Sequence, residues 1–302
     1  MLFRSNLFVA QKGASLLHVL DVDSGKESKE VRVPGEPLEQ VACSPQKGPI
    51  FVSNTHKEVY AISPEKGVAV KTTAMGHFLA VSPDGKSLYT GTQEPIRDQV
   101  VIRRNGAGAR VSVQKTGRHA SIMKYAVQSG STTAAAANGN ASINGVMMCL
   151  SPDGKRIALP GGGGWESLSE KRRSYSIPIW DSKDLETMLG QVDLGIYPRN
   201  IAFHPVLNLV AADKNGDTVL IYNGKSLAEV KSFKLKVRPG SFTPFLLTFG
   251  GKGSKVIYAS SASASAPPKP GANFDENPTQ LHFLPLELSA DDRAALDKAY
   301  DK

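Results

Sequence analysis

Ser82-Pro83-Asp84-Gly85-Lys86 and Ser151-Pro152-Asp153-Gly154-Lys155 are the same pentapeptide, each set directly behind a short apolar run. The runs are Phe78-Leu79-Ala80-Val81 and Val146-Met147-Met148-Cys149-Leu150. Weaker copies, Ser44-Pro45 and His204-Pro205, follow Val41-Ala42-Cys43 and Ile201-Ala202-Phe203. Proline pre-sets φ for the first central position of a turn, Asp bonds back to its own backbone, and Gly accepts the positive φ that other residues resist. A buried strand, a tight turn and a second strand are therefore written four times. Pro45, Pro83, Pro152 and Pro205 are 38, 69 and 53 residues apart. Units near 40 residues are typical of four-stranded propeller blades, so the excess predicts insertions.

Around these turns the strand pattern gives six units. The first holds Leu7–Ala10, Leu16–Val22 and Glu30–Val33, and lacks an innermost strand. The second runs from Leu38 to Thr72. The third runs from His77 to Gln114, with Ser87–Thr90 and Val100–Arg103 as its middle strands. The fourth runs from Val146 to Leu194, the fifth from Arg199 to Lys234, and the sixth from Phe245 to Leu284 without an outermost strand. The expected fold class is all-β, a propeller of four-stranded blades over 6–287. In many propellers the N-terminus supplies the outer strand of the final blade. Both absent strands are thus expected upstream of Asn6, and a further upstream blade would make seven rather than six. Met1-Leu2-Phe3-Arg4-Ser5 lacks the apolar core and cleavage site of a signal peptide. Residues 1–5 are expected to be a non-native leader on a chain truncated at its N-terminus. Ser289-Ala290-Asp291-Asp292 resembles a capping box, and 288–302 is expected to be a short helix or linker.

Composition agrees. At 302 residues and 40% hydrophobic the chain can bury a large core, and 28 Gly and 19 Pro suit many short strands joined by turns. No apolar run approaches the roughly 18 residues that span a bilayer. The net charge of +8 is spread among acidic residues, whereas a nucleic-acid site needs a clustered basic patch, so no nucleic-acid partner is expected. Cys43 and Cys149 are expected to be free thiols on opposite faces of non-adjacent blades, which leaves the compartment open.

The Ser-Pro-Asp-Gly-Lys turn followed by a β-branched or aromatic strand resembles the YVTN and WD-repeat propeller superfamily, in a divergent, bacterial-type form. Trp180-Asp181 is similar to the Trp-Asp dipeptide of WD repeats and Gly76-His77 to their Gly-His pair, but they stand in different blades. The hydrogen-bonded tetrad of regular WD repeats therefore cannot be assembled in any one blade.

In such a blade the first-to-second and third-to-fourth turns share one face, and here they are short. Four long segments map to the other face: Thr92–Asp98, Lys115–Asn144, Pro160–Ser176 and Ser260–Pro278. Loops on a rigid scaffold commonly carry binding. Within them, Gly161-Gly162-Gly163-Gly164-Trp165 lacks the following helix of a phosphate-binding loop and reads as a hairpin insertion. Trp165 with Lys171, Arg172 and Arg173, and Arg118 with His119, are the candidate contact residues. The six histidines are scattered and no nucleophile elbow occurs, so no catalytic residue, metal or cofactor is expected. Asp213 and Asp217 read as ordinary turn residues. The expected function is a non-catalytic scaffold that binds a protein or other macromolecule on its long-loop face, as a monomer or a module of a longer polypeptide. The alternative is a lactonase- or dehydrogenase-like propeller enzyme acting over the central channel.

Overall fold

The two full turns form as their residues dictate. Ser82 Oγ accepts the N–H of Ser87 at 2.9 Å and donates to Asp84 Oδ1 at 2.5 Å, while that oxygen accepts the N–H of Lys86 at 3.0 Å. Ser151 repeats the pattern with Arg156, Asp153 and Lys155 at 2.9, 2.5 and 3.1 Å. Gly85 and Gly154 hold φ of 70° and 69°, in the left-handed region. Each turn thereby sets an antiparallel register, Val81 opposite Leu88 and Leu150 opposite Ile157.

These pairs belong to a six-bladed β-propeller, seen in a computed structural model. It describes residues 2–3, 6–10, 14–21, 26–35, 37–44, 48–63, 65–95, 99–105, 108–114, 118–141, 148–159, 176–194, 200–214, 217–235, 247–250, 252–261 and 279–300. Blade 1 comprises β1 (Leu2–Phe3), β2 (Asn6–Ala10), β3 (Leu16–Asp21) and β4 (Glu27–Arg32). Blade 2 comprises β5 (Leu38–Cys43), β6 (Ile50–Asn54), β7 (Glu58–Ile62) and β8 (Ala69–Met75). Blade 3 has β9 (Phe78–Val81) and β10 (Ser87–Pro95), then a separate hairpin of β11 (Gln99–Asn105) and β12 (Gly108–Gln114), then β13 (Arg118–Gln128) and β14 (Ser131–Ala141). Blade 4 comprises β15 (Cys149–Leu150), β16 (Arg156–Ala158), β17 (Ser176–Asp181) and β18 (Met188–Asp193). Blade 5 comprises β19 (Ile201–Phe203), β20 (Leu209–Lys214), β21 (Thr218–Asn223) and β22 (Glu229–Lys234). Blade 6 shows three strands among the described residues, β23 (Leu247–Gly250), β24 (Lys255–Ser261) and β25 (Thr279–Pro285), and α1 (Ala290–Tyr300) follows.

Packing explains why the middle strands read as continuous apolar runs. Successive side chains point to opposite faces of a strand, and each blade is sandwiched between neighbours. In β6, Ile50 and Val52 join Phe8, Leu17 and Val19 in the core between blades 1 and 2, whereas Phe51 joins Leu79, Val81 and Leu88 between blades 2 and 3. Similar cores fill the spaces between blades 3 and 4, 4 and 5, and 5 and 6. The fourth strands face solvent, as in β4, where only Val31 is buried. Cys43 packs between blades 1 and 2 and Cys149 against the core between blades 4 and 5, both as free thiols. Burial pushes both up to about 11.

Blade 3 departs from the sequence reading. Its third and fourth strands are β13 and β14, not Val100–Arg103 and the stretch ending at Gln114, which form the inserted hairpin. Most of Lys115–Asn144, expected to be a loop, is therefore sheet. The reason is local: Ser129 and Gly130 both have positive φ, 50° and 84°, the conformation of a two-residue turn matched to strand twist. That turn pairs Gln128 with Ser131 and puts Ile122 and Tyr125 into the cores. Thr92–Pro95, also expected in a loop, extends β10. Blade 1 does have an innermost strand, since Leu2 and Phe3 pair with Leu7 and Asn6 inside the stretch read as a leader.

Candidate binding face

The antiparallel meander gives each blade two ends. First-to-second turns and third-to-fourth turns lie at one end, and second-to-third connections at the other. The first end is stitched by polar contacts between neighbouring blades. Ser44 Oγ donates to Pro83 O at 2.8 Å, Tyr89 Oη and Lys124 Nζ donate to Ser182 O at 3.1 and 3.0 Å, and Arg156 donates to Gly224 O. Arg156 also lies over the Phe203 ring, 5.3 Å from its centre.

The second end receives the long connections. β6 to β7 takes residues 55–57 and β20 to β21 takes 215–217, but β10 to β13 takes 96–117, β16 to β17 takes 159–175 and β24 to β25 takes 262–278. Arg118 and His119 are not loop residues. They open β13, opposite Pro95 and Glu94, and so sit at this end of blade 3. Trp165, Lys171, Arg172 and Arg173 lie outside the described residues, as does the glycine run 161–164.

Beneath these connections the structure places polar groups that sequence reasoning missed. His77 Nδ1 meets Glu39 Oε2 at 2.6 Å, joining the innermost strand of blade 2 to the entry of blade 3, with both side chains partly exposed. An ionised carboxylate only accepts hydrogen bonds, so Nδ1 is the donor in this pair. In blade 2, Glu58 accepts hydrogen bonds from Lys71, Asn54 (2.9 Å) and Tyr60 (3.0 Å), which hold its carboxyl down at about 2. In blade 5, Asp213 is buried rather than a solvated turn residue. Its Oδ1 accepts the N–H of Asn200 at 2.7 Å, and its Oδ2 accepts Asn200 Nδ2 at 3.0 Å and Tyr258 Oη of blade 6 at 3.4 Å. Asp217, also buried, accepts Lys234 Nζ at 2.6 Å. Aligning the blades on their Ser-Pro and His-Pro turns carries no signal for Asn200 and Asp213: Asn200, just before β19, and Asp213, within β20, stand where blade 3 has Phe78 and Gly91.

No protein-family model matches the sequence, and no curated protein matches it. A chain in the crystal structure of a mitotic checkpoint complex is similar in fold, with a TM-score of 0.63 at 12% identity over 93% of this chain and 71% of that one. The shared fold is the β-propeller. Within this propeller Trp180 occupies the Trp of the Trp-Asp dipeptide, but among the described residues its buried Nε1–H has no hydrogen-bond partner, so the tetrad of regular repeats is not seen there. Among the described residues no helix is long and apolar enough to cross a membrane.

Proposed function

We propose that this propeller is a non-catalytic scaffold that binds a protein or other macromolecule through the end carrying its second-to-third connections. The observation that supports it is the distribution of chain length: the three longest of those connections all leave from that end, while the opposite end carries tight turns and interblade hydrogen bonds. A rigid sheet framework with extended connections on one side separates folding from recognition. Trp165, Lys171, Arg172 and Arg173 between β16 and β17, and Arg118 and His119 at the start of β13, are the contact residues in this reading. An aromatic side chain beside basic groups suits an anchor with a charged rim. The similarity of the turns to the YVTN branch, and a bacterial-type origin, belong to the same reading. So does the absence of nucleic acid among the partners, because the charge is not clustered.

The test is a photo-crosslinking amino acid placed at Trp165 and, separately, at Lys86 on the opposite end. Adducts with a macromolecule from position 165 and none from position 86 are expected. Deletion of 161–174 is expected to leave thermal unfolding unchanged and remove the adduct partner's binding. Adducts from position 86 alone, or unchanged binding after the deletion, would overturn the assignment.

A further inference from the structure

Four of the six blades share one irregularity. Where the third strand pairs with the fourth, the register slips by one residue: between Val19 and Leu20, Lys124 and Tyr125, Ile179 and Trp180, and Ile221 and Tyr222. A bulge of this kind re-aims the side chain beyond it. Without it, residues three apart on the fourth strand would point to opposite faces. With it, both can stand beside one residue of the third strand, and the blades can be compared at that spot. Blade 3 carries Met123, Ala137 and Ala134 there, blade 4 Pro178, Gln191 and Met188, and blade 5 Leu220, Ser232 and Glu229. Blade 1 carries His18, Glu30 and Glu27.

The equivalents of His18 in blades 4 and 5, Pro178 and Leu220, are buried core residues, whereas His18 is half-buried and both glutamates are exposed. Blade 1 thus sets an imidazole where blades 3, 4 and 5 have an apolar residue, beside two exposed carboxylates of its fourth strand. Their ligand atoms all lie within 4.8 Å of one another, and His18 Nδ1 is 2.9 Å from Glu27 Oε1. Zinc bonds to His nitrogen and carboxylate oxygen at about 2.0–2.2 Å, which separates tetrahedral ligand atoms by about 3.3 Å. Small rotamer adjustments of two exposed glutamates reach that geometry. Imidazole with carboxylates suits first-row transition ions, while Mg²⁺ takes oxygen ligands and keeps its waters.

We propose that His18, Glu27 and Glu30 form a binding site for a divalent transition-metal ion of the zinc class, with water completing the coordination. The site is on the outer half of blade 1 and is independent of the partner-binding face. Three protein ligands leave one tetrahedral position open, so the bound ion keeps a solvent-facing position.

The test is calorimetric titration of Zn²⁺ into the full chain in a non-chelating buffer, alongside His18→Ala, Glu30→Gln and the control His56→Ala, each checked for fold by circular dichroism. One ion per chain is expected, with His18→Ala weakening binding by about 100-fold or more, since even loss of a supporting group commonly costs 10–100-fold. His56→Ala should bind as the unaltered chain does, and Mg²⁺ should give no comparable binding. Should His18→Ala misfold, the His18 imidazole resonances of the unaltered chain must shift on adding Zn²⁺. Affinity unchanged in a folded His18→Ala chain, no binding at all, or unmoved His18 resonances would overturn the proposal.

Discussion

His204 Nε2 donates a hydrogen bond to the carbonyl oxygen of Gly253 at 2.8 Å, joining blade 5 to blade 6 from the position that Ser82 and Ser151 hold in blades 3 and 4. The ring also does the serine's work inside its own turn, because Nδ1 accepts the N–H groups of Val206 and Leu207 at 3.0 and 2.8 Å. Protonating Nδ1 would set a hydrogen against two donors. Burial holds the His204 pKa below its ordinary value, against the opposing pull of Gly253 and Asp292.

Stability should therefore depend on pH through this residue. In the unfolded chain the imidazole titrates near about 6.5. Between that value and the lower folded one, the unfolded state binds more protons, so stability rises with pH. The contribution is complete above about 6.5 and is lost as pH falls through the folded value. Denaturant unfolding of His204→Ser across this window should lack that slope. At neutral pH the variant should lose about 1–3 kcal/mol, because the Gly253 carbonyl loses its donor. A pH profile parallel to that of the unaltered chain would contradict the assignment.

The glycines of both pentapeptides should resist alanine. Both hold positive φ, which costs about 1–2 kcal/mol for an L side chain. At Gly154 a Cβ would also stand 3.0 Å from Cδ of Pro83 in the neighbouring blade's turn. Gly154→Ala should thus lose more than that backbone cost, and Pro83→Ala in the same chain should relieve the excess, measured by denaturant midpoints at constant slope. A loss that Pro83→Ala leaves unchanged would mean that the two turns do not press on each other.

Trp180 gives a third expectation. Its ring packs with Tyr89, Ile122, Ile157 and Leu185 between blades 3 and 4, but among the described residues its buried N–H has no acceptor. An unsatisfied buried donor costs about 1–3 kcal/mol, so Trp180→Phe removes a penalty while keeping most of the contact area. It should change stability little, whereas Trp180→Ala should lose about 3–5 kcal/mol. A Phe variant as unstable as the Ala variant would show that the indole N–H matters.

How far the sequence was legible follows from the same contacts. Blades 2, 4 and 5 are readable because a Ser-Pro or His-Pro turn fixes each first hairpin, and because strands buried on both faces, such as Val59–Ile62 and Val219–Tyr222, form unbroken apolar runs. Blade 3 misleads because Val100–Arg103 has stronger strand character than Thr132–Ala137, yet lies in an inserted hairpin. The deciding feature was the Ser129-Gly130 turn, which carries no hydrophobic signal. Leu2–Phe3 was too short to show any period. On the candidate face, the basic and aromatic residues of 161–174 stand out by composition. His77 with Glu39, and Asn200 with Asp213, do not, because each pair is made by residues on different strands or flanks that only the blade geometry brings together.

The C-terminal helix supplies the last expectation. Its cap forms as the sequence indicates: Ser289 Oγ accepts the N–H of Asp292 at 3.1 Å, and Ser289 N–H donates to Asp292 Oδ2 at 3.3 Å. An isolated helix of about three turns is marginal in water, so α1 needs a dock. Leu296 is its one buried residue among those described, and it reaches the blade 6 turn beside His204, where a Cβ on Gly253 would be 3.2 Å from Leu296 Cδ2. Leu296→Ala removes that anchor while leaving the cores between blades untouched. Hydrogen exchange should then accelerate at amides 293–299 and stay slow in β20 and β21. Ser289→Ala should accelerate the same amides less, in keeping with a cap worth about 1 kcal/mol. Unchanged protection of the helix in Leu296→Ala would place its stability elsewhere, and faster exchange throughout blade 5 would make the helix an integral support of the propeller.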